Sequence, residues 1–431
     1  MSLIDRIMEN DKHGLFNCSN VFANYSTGIL PLDYINAFKL RWRDKDGRDR
    51  VDVVPGIMGG KFLTIIGLSG SGKTTLADQI AWNIIEPFEN DGMMIHVDAE
   101  HSMLKPRIYD ITDMPLDDPR FKLQDENTYI EDVMEQIDII CRAKEAAGDE
   151  AKYEIDGKWF NRDTVKVYYP TVIIIDSLWA FTSKDTKEDV LEGQMSTNRE
   201  VGKISQFYQK QASRLAKYNI TIIATNHIKS KIETNPYSYT KPQLMMLKQD
   251  ESLPRGQAPV YSASSVLRLN PAGLSKGYTK AEWGFDGFKC ILQVAKSKTT
   301  FIGGEVNLVF REDIGYDPIY TILQFAYDCD LVLGKNPHLR IKGAEDYLFS
   351  KITFGTKFKK DFKFRTAILT AIQPYLEALA GCKDVTDEER ERYTSMAKLN
   401  DDGMIEVDPD AIDEFLPVED TDQKKTKKKS S

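Results

Sequence analysis

Residues 67–75 read Gly-Leu-Ser-Gly-Ser-Gly-Lys-Thr-Thr, the spacing G-x-x-x-x-G-K-T. Glycines so placed let consecutive backbone N–H groups turn inward, and a following helix adds its own N-terminal donors, so the segment can surround a triphosphate. In that arrangement Gly67, Leu68, Ser69, Gly70, Ser71, Gly72, Lys73, Thr74 and Thr75 enclose the nucleotide phosphates, Lys73 reaches the outer ones, and Thr74 can ligate Mg²⁺. A carboxylate for the Mg²⁺ shell is offered by Asp176, which closes the apolar run Thr171-Val-Ile-Ile-Ile-Asp176. No second acid follows it, so the group that aligns the hydrolytic water must come from elsewhere. Glu100, in Met93-Met-Ile-His-Val-Asp-Ala-Glu-His101, is the best candidate for that catalytic role. Asp98 serves less well, because it points to the side of Glu100 only if the strand continues that far. Asn226 and His227 end another apolar run, Thr221-Ile-Ile-Ala-Thr, where a polar pair can touch the γ-phosphate or its water. Lys296 and Lys298, two residues apart with no acid adjacent, share one strand face and repel one another. A polyanion would relieve that cost, as would a solvated edge.

These residues need elements to hold them. Phe62-Leu63-Thr64-Ile65-Ile66 reads as a buried strand before the phosphate loop, and Leu76 to Ile85 as the helix after it. Further apolar runs of β type occur at 93–97, 172–175, 221–224, 265–269 and 290–294, with helix-like segments between them. Such alternation predicts an α/β fold, a mostly parallel sheet with helices on both faces. The long helix-like segment 198–218 suits a right-handed crossover between the runs at 172 and 221. The charged stretch 39–52 reads as a surface hairpin or loop. Segments 183–197 and 229–262 are rich in Lys, Ser, Thr, Pro, Gln and Asp, and each follows a strand that should end beside the nucleotide.

Composition restricts the setting. A chain of 431 residues with 41% hydrophobic residues has room for two or three domains and a sizeable core. No apolar run approaches a membrane span, and the first ten residues lack the apolar stretch of a signal peptide, so no membrane partner and a cytosolic location are expected. The five cysteines, Cys18, Cys141, Cys290, Cys329 and Cys382, are scattered without a Cys-x-x-Cys pair, which predicts reduced thiols and no zinc site. A net charge of −9 means that any nucleic-acid contact must be local.

Taken in order, Ser26-Thr-Gly-Ile-Leu-Pro-Leu-Asp33, Gly59 to Thr75, Asp98-Ala-Glu-His101, Ile175-Asp-Ser-Leu178, Asn226-His-Ile-Lys229 and Lys296-Ser-Lys298 resemble the RecA family of homologous-recombination ATPases. Within it the nearest likeness is to bacteriophage strand-exchange proteins of the UvsX type, with Pro259 to Ala263 and the turn at Asp317 contributing. The resemblance implies a RecA-like phosphate-loop ATPase core with ATP and Mg²⁺ as cofactors. It also implies a helical filament on single-stranded DNA that pairs with homologous duplex DNA, and a mediator and a single-strand-binding protein as further partners. Lys296 and Lys298 would then reach the nucleotide of the adjacent protomer, Asn226 and His227 would sense its state, and Tyr109 would contact the adenine. Arg199, Lys203, Lys229, Lys231, Arg255 and Gly256 would bind DNA from two loops near 183–198 and 229–258. If the chain is phage-encoded, its place is the host cytosol.

The expected organisation is a protomer-docking segment at 1–30, the ATPase core at 31–335, a small α-rich C-terminal domain at 336–395, and a disordered tail at 396–431 that is acidic and then basic. In the small domain, Lys357 to Arg365 interleaves Phe358, Phe362 and Phe364 with cations. That pattern fits a duplex-capturing surface, or equally a helical domain with core phenylalanines and solvated lysines. Two other functions share the motifs, a hexameric helicase or motor ATPase and a non-catalytic recombination mediator. The Lys-x-Lys pair and Ser177 after Asp176 speak against the first, and intact Lys73, Thr74 and Glu100 against the second.

Overall fold

The computed structural model describes residues 21–126, 128–160, 162–185, 195–230, 244, 247–248, 250–271, 277–300 and 302–380, together with the backbone of 397–399 and 405–407. Two compact units divide the chain, one running to Asp328 and taking in Leu379–Gly381, the other made of Cys329–Ala378 and Cys382–Ser431.

The first unit is a mixed α/β structure around a nine-stranded sheet. Its strands are β1 (Phe62–Gly67), β2 (Met93–Asp98), β3 (Phe121–Gln124), β4 (Thr171–Asp176), β5 (Ile220–His227), β6 (Ser265–Pro271), β7 (Gly287–Ser297), β8 (Glu305–Arg311) and β9 (Gly315–Tyr316). They lie in the order β9-β8-β7-β6-β1-β5-β4-β2-β3. The six strands from β6 to β3 run parallel, while β7, β8 and β9 extend one edge antiparallel. The runs at 265–269 and 290–294 are therefore adjacent strands of opposite direction, which apolar content alone does not distinguish.

Five helices of this unit matter for the site: α1 (Lys73–Ile85), α2 (Lys105–Thr112), α3 (Ile130–Ala147), α4 (Met195–Tyr218) and α5 (Pro318–Asp328). Strands β1 and β4 are buried along their whole length, so they read as unbroken apolar runs rather than alternating ones. The pleat still sorts their side chains. Ile173, Ile175, Ile95 and Val97 join a core with Ile130, Val133, Ile137 and Cys141 of α3 and Ile204, Phe207, Tyr208 and Leu215 of α4. The spacing in α3 is that of one helical stripe. The alternate residues, His96 and Asp98 among them, face the side on which α1 packs against β4, β5 and β2. No helix of the described residues is long and apolar enough to cross a membrane.

The charged stretch at 39–52 forms the hairpin Phe38–Arg43 and Asp49–Val54. A second hairpin, Lys152–Asp156 and Thr164–Tyr168, has no counterpart in the sequence reading. The two are joined by a Lys45–Asp163 ion pair and by the Trp159 indole, which donates to Asp52 at 2.6 Å.

The second unit has the helices expected between Tyr347 and Ala380 and adds a sheet that was not expected. It opens with a three-stranded antiparallel sheet, Val332–Lys335, His338–Ile341 and Ala344–Phe349, before helices Lys351–Lys360 and Phe362–Leu379. His338–Ile341 does alternate, with Leu339 and Ile341 buried, but strands of four to six residues give too short a pattern to stand out in the sequence. Phe354, Phe358 and Phe364 are buried with Phe349, whereas Phe362 is exposed. The Phe-Lys interleaving at 357–365 thus places two of its three rings in a core. In the tail, strands Ala397–Leu399 and Ile405–Val407 pair antiparallel, so that stretch is not wholly without structure; the remainder lies outside the described residues.

Candidate functional site

Parallel pairing brings the carboxyl ends of the central strands together. Asp176 stands level with Asp98, and His227 with Gly67. In open α/β sheets this edge is where ligands bind. Between β1 and α1 the chain makes the expected glycine turn. Gly70 and Gly72 hold φ of 72° and 81°, a region that costs an L side chain about 1–2 kcal/mol. Gly67 has no room for a side chain, since a Cβ there would lie 2.5 Å from the Ser71 hydroxyl. Helix α1 begins at Lys73 with no side chain capping its first N–H groups. Those donors and the helix dipole make an anion site of the kind a phosphate fills.

Lys73 is buried and donates to the Leu68 carbonyl at 2.8 Å, closing the loop across its own mouth. Burial pushes its ammonium below the usual lysine range, and the Asp176 and Glu100 carboxylates only partly oppose this. The loop also rests on a residue that sequence reasoning missed. Tyr316 of β9 is fully buried, its phenol donates to the Ser71 carbonyl at 3.1 Å, and its burial pushes the phenol well above the ordinary range. Gln79 ties the same segment to α1 through the Ile314 and Tyr316 carbonyls and the Tyr316 amide.

Thr74 donates to Asp176 Oδ2 at 2.6 Å, and Thr225 donates to Oδ1 of the same carboxylate. Among the described residues no three His, Cys, Asp or Glu side chains are placed to hold a metal alone. The hydroxyl and carboxylate of Thr74 and Asp176 are hard oxygen donors that fit Mg²⁺, which takes few protein ligands and completes its shell with phosphate oxygens and water.

Glu100 lies beside this pair. Its Oε1 accepts from the Ser177 hydroxyl and faces His227 Nε2 at 3.0 Å. Partial burial raises its pKa, but the bonds from Ser177 and His227, with Lys73 nearby, outweigh that and leave the carboxyl below its ordinary value. The neighbouring Asn226 is buried and donates to the Pro254 carbonyl at 3.2 Å. The polar pair at the end of β5 therefore looks two ways, His227 to Glu100 and Asn226 to the segment beyond.

That segment carries several of the expected DNA contacts, and the structure gives them partners. Arg255 forms an ion pair with Glu200 of α4 and donates to the Trp179 carbonyl at 2.7 Å, so its side chain is only 11% exposed. Lys203 pairs with Glu131 and Asp185. Lys229 lies over the Trp179 ring, 3.0 Å from its centroid. Gly256, at φ 77°, packs so close to α4 that a Cβ would meet Val201 at 2.8 Å. Arg199 is exposed on α4, and Lys231 lies outside the described residues. Trp179, 45% exposed and three residues after Asp176, was not singled out by sequence, because it stands among Leu178, Ala180 and Phe181 and no local pattern marks it as the exposed one.

One expectation is adjusted. Lys296 is not a bare cation. Its ammonium donates to the Val260, Tyr261 and Ala263 carbonyls at 2.6, 2.9 and 2.8 Å, and burial, with repulsion from Lys298, pushes its pKa down to about 8. Lys298 donates to the Ser262 carbonyl at 3.3 Å. The two lysines repel as the spacing implied, but the end of the short helix Ala258–Ser262 supplies acceptors that no local pattern reveals. Tyr109, expected at the adenine, lies on α2, with its ring edge-on to Phe121 at 6.2 Å.

No protein-family model matches the chain, and no curated protein matches it.

Proposed function

We propose that the protein is an ATP-dependent homologous recombinase, a single-stranded-DNA-dependent ATPase that forms helical filaments and promotes pairing and strand exchange with homologous duplex DNA. The observation that carries the reading is one connected path. Glu100 is bonded to Ser177, which follows Asp176, and to His227, whose neighbour Asn226 bonds to Pro254 beside Arg255 and Gly256. A site that joins a triphosphate loop to a cation-bearing segment by hydrogen bonds has the connection that nucleotide-gated DNA binding requires.

In this reading the loop amides and Lys73 bind the phosphates, and Thr74 and Asp176 hold Mg²⁺, which when bound would neutralise phosphate charge. Glu100 aligns the attacking water and takes its proton, for which a carboxyl held ionised by Ser177 and His227 is suited. Lys296 and Lys298 act on the nucleotide of the neighbouring protomer, and Lys229, Arg199 and the 254–256 segment contact single-stranded DNA.

The test is ATP hydrolysis with and without single-stranded DNA, with electron microscopy of the same mixtures. Stimulated hydrolysis with helical filaments is expected, with single-strand affinity that requires ATP and falls steeply with salt. Closed rings would assign the chain to helicases or motors, and binding of ATP without turnover would make it a mediator.

A further inference from the structure

Beneath Asp176, on the face of the sheet that carries α1, lies a group of ionisable side chains to which the proposed chemistry gives no task. His96 and Asp78 are both fully buried, and Asp98 is buried beside them. His96 Nδ1 and Asp78 Oδ1 are 2.6 Å apart. The other ring nitrogen, Nε2, has no hydrogen-bond partner and lies 4.0 Å from Asp176 Oδ2. This is the same carboxylate oxygen to which Thr74 donates at 2.6 Å.

The placement follows from two periodicities. Asp78 comes four residues after Thr74 on α1, so both project from one helical face. His96 and Asp98 alternate with Ile95 and Val97 on β2, which sends them to α1 while the aliphatic residues enter the core below. One helix face thus approaches Asp176 twice, directly through Thr74 and indirectly through Asp78 and His96. A buried imidazole and carboxylate are costly to desolvate, and an apolar pair of similar volume would fill the space at no such cost. Their presence calls for a function, and the group of the site that the unpartnered ring nitrogen faces is Asp176 Oδ2.

We infer that His96, oriented by Asp78, is a positioning residue that backs Asp176 Oδ2 and so sets how tightly the Thr74–Asp176 pair takes Mg²⁺. The inference rests on the reading of this site as a Mg²⁺-nucleotide site. It needs only the position of Nε2, not the charge of the ring. Outer partners of metal-binding carboxylates commonly change metal affinity by about 10- to 100-fold when removed.

The experiment measures binding of a fluorescent, non-hydrolysable ATP analogue as Mg²⁺ is titrated, in the parent and in the double variant Asp78→Leu/His96→Phe. Removing both members avoids stranding one of the pair without the other, while Asp98 keeps the Met103 amide as donor at 2.8 Å. In a folded double variant, analogue affinity without metal should be unchanged, and half-saturating Mg²⁺ should rise about tenfold or more. Adding Mn²⁺ and counting bound ion by electron paramagnetic resonance should show the same loss. Asp78→Leu/His96→Gln, which returns an N–H toward Asp176, should recover part of it. If the apolar pair does not fold, Asp78→Ala, which removes the bond that orients His96, should still raise the Mg²⁺ requirement several-fold, and Asp78→Asn, which keeps that bond, should leave it near the parental value. An unchanged Mg²⁺ requirement in a folded variant overturns the inference. A parent that binds the analogue without regard to Mg²⁺ overturns the site reading beneath it.

Discussion

Gly70→Ala and Gly72→Ala separate two reasons for glycine in one loop. Both residues hold positive φ, 72° and 81°, so each alanine incurs about 1–2 kcal/mol of backbone strain. Around Gly70 a new Cβ meets nothing within 4 Å. At Gly72 the Cβ would lie 2.7 Å from the Tyr316 hydroxyl and 3.3 Å from the Phe310 ring. Tyr316 is fully buried, so the ring can yield only by disturbing its packing and its bond to the Ser71 carbonyl. Overpacking adds about 1–3 kcal/mol and the weakened bond about 1 kcal/mol, which brings Gly72→Ala to roughly 3–6 kcal/mol. Tyr316→Phe removes the atom that clashes. It costs about 1–3 kcal/mol alone, because the Ser71 carbonyl loses the phenol and keeps only the weaker Cys290 thiol of that pair of donors, but in that background Gly72→Ala should be milder by about 1–2 kcal/mol. Urea unfolding of the parent, both alanine variants, Tyr316→Phe and the Gly72→Ala/Tyr316→Phe double closes the cycle, and affinity for an ATP analogue should follow the same order. Equal costs at Gly70 and Gly72, or strict additivity of Gly72→Ala and Tyr316→Phe, would refute the argument that Tyr316 supports the loop.

Glu100→Gln should lower ATP turnover by about 10²- to 10⁴-fold while nucleotide affinity stays near that of the parent, since the amide keeps the shape but accepts no proton; hydrolysis at the parental rate removes Glu100 from the mechanism. Lys144 donates to the Tyr169 and Tyr218 carbonyls at 2.7 and 2.8 Å, and burial pushes its pKa from 10.5 down to about 7. Between those values the unfolded chain holds a proton that the folded chain lacks, so stability should rise with pH by up to about 1.4 kcal/mol per unit, and the rise should stop below pH 7. Urea midpoints across that range should show a shallower rise in Lys144→Met, and identical slopes would contradict the burial. Lys296→Ala/Lys298→Ala should abolish DNA-stimulated hydrolysis and, mixed with Lys73→Ala protein, recover part of it in filaments where an intact loop meets intact lysines. Full activity of the double variant alone would show that its lysines only hold the Ala258–Ser262 carbonyls.

How much was legible in the sequence depends on how far apart the interacting residues lie. The glycine turn of 67–75 is written within nine consecutive residues, because its shape comes from glycine backbone freedom and the start of one helix, both local. The central strands were legible because burial on two faces demands unbroken apolar runs, and the residues ending those runs, Gly67, Glu100, Asp176 and His227, follow from parallel pairing that aligns the strand ends. Of the antiparallel edge, the run at 290–294 was legible but its direction was not, and the hairpin at 152–168 and the sheet of the second unit lacked that signature, being short, charged or half-exposed. What the tertiary structure alone decided is which side chains meet. Tyr316 supports Ser71 across 245 residues, Asn226 reaches Pro254 across 28, Lys296 finds carbonyls at the end of another element, and Arg255 pairs with Glu200. His96 acquires Asp78 across 18 residues, and so a line to Asp176, only because β2 and α1 pack face to face. Local spacing specifies backbone and face. The identity of a partner across the core depends on how those faces are brought together, and only the assembled chain contains that information.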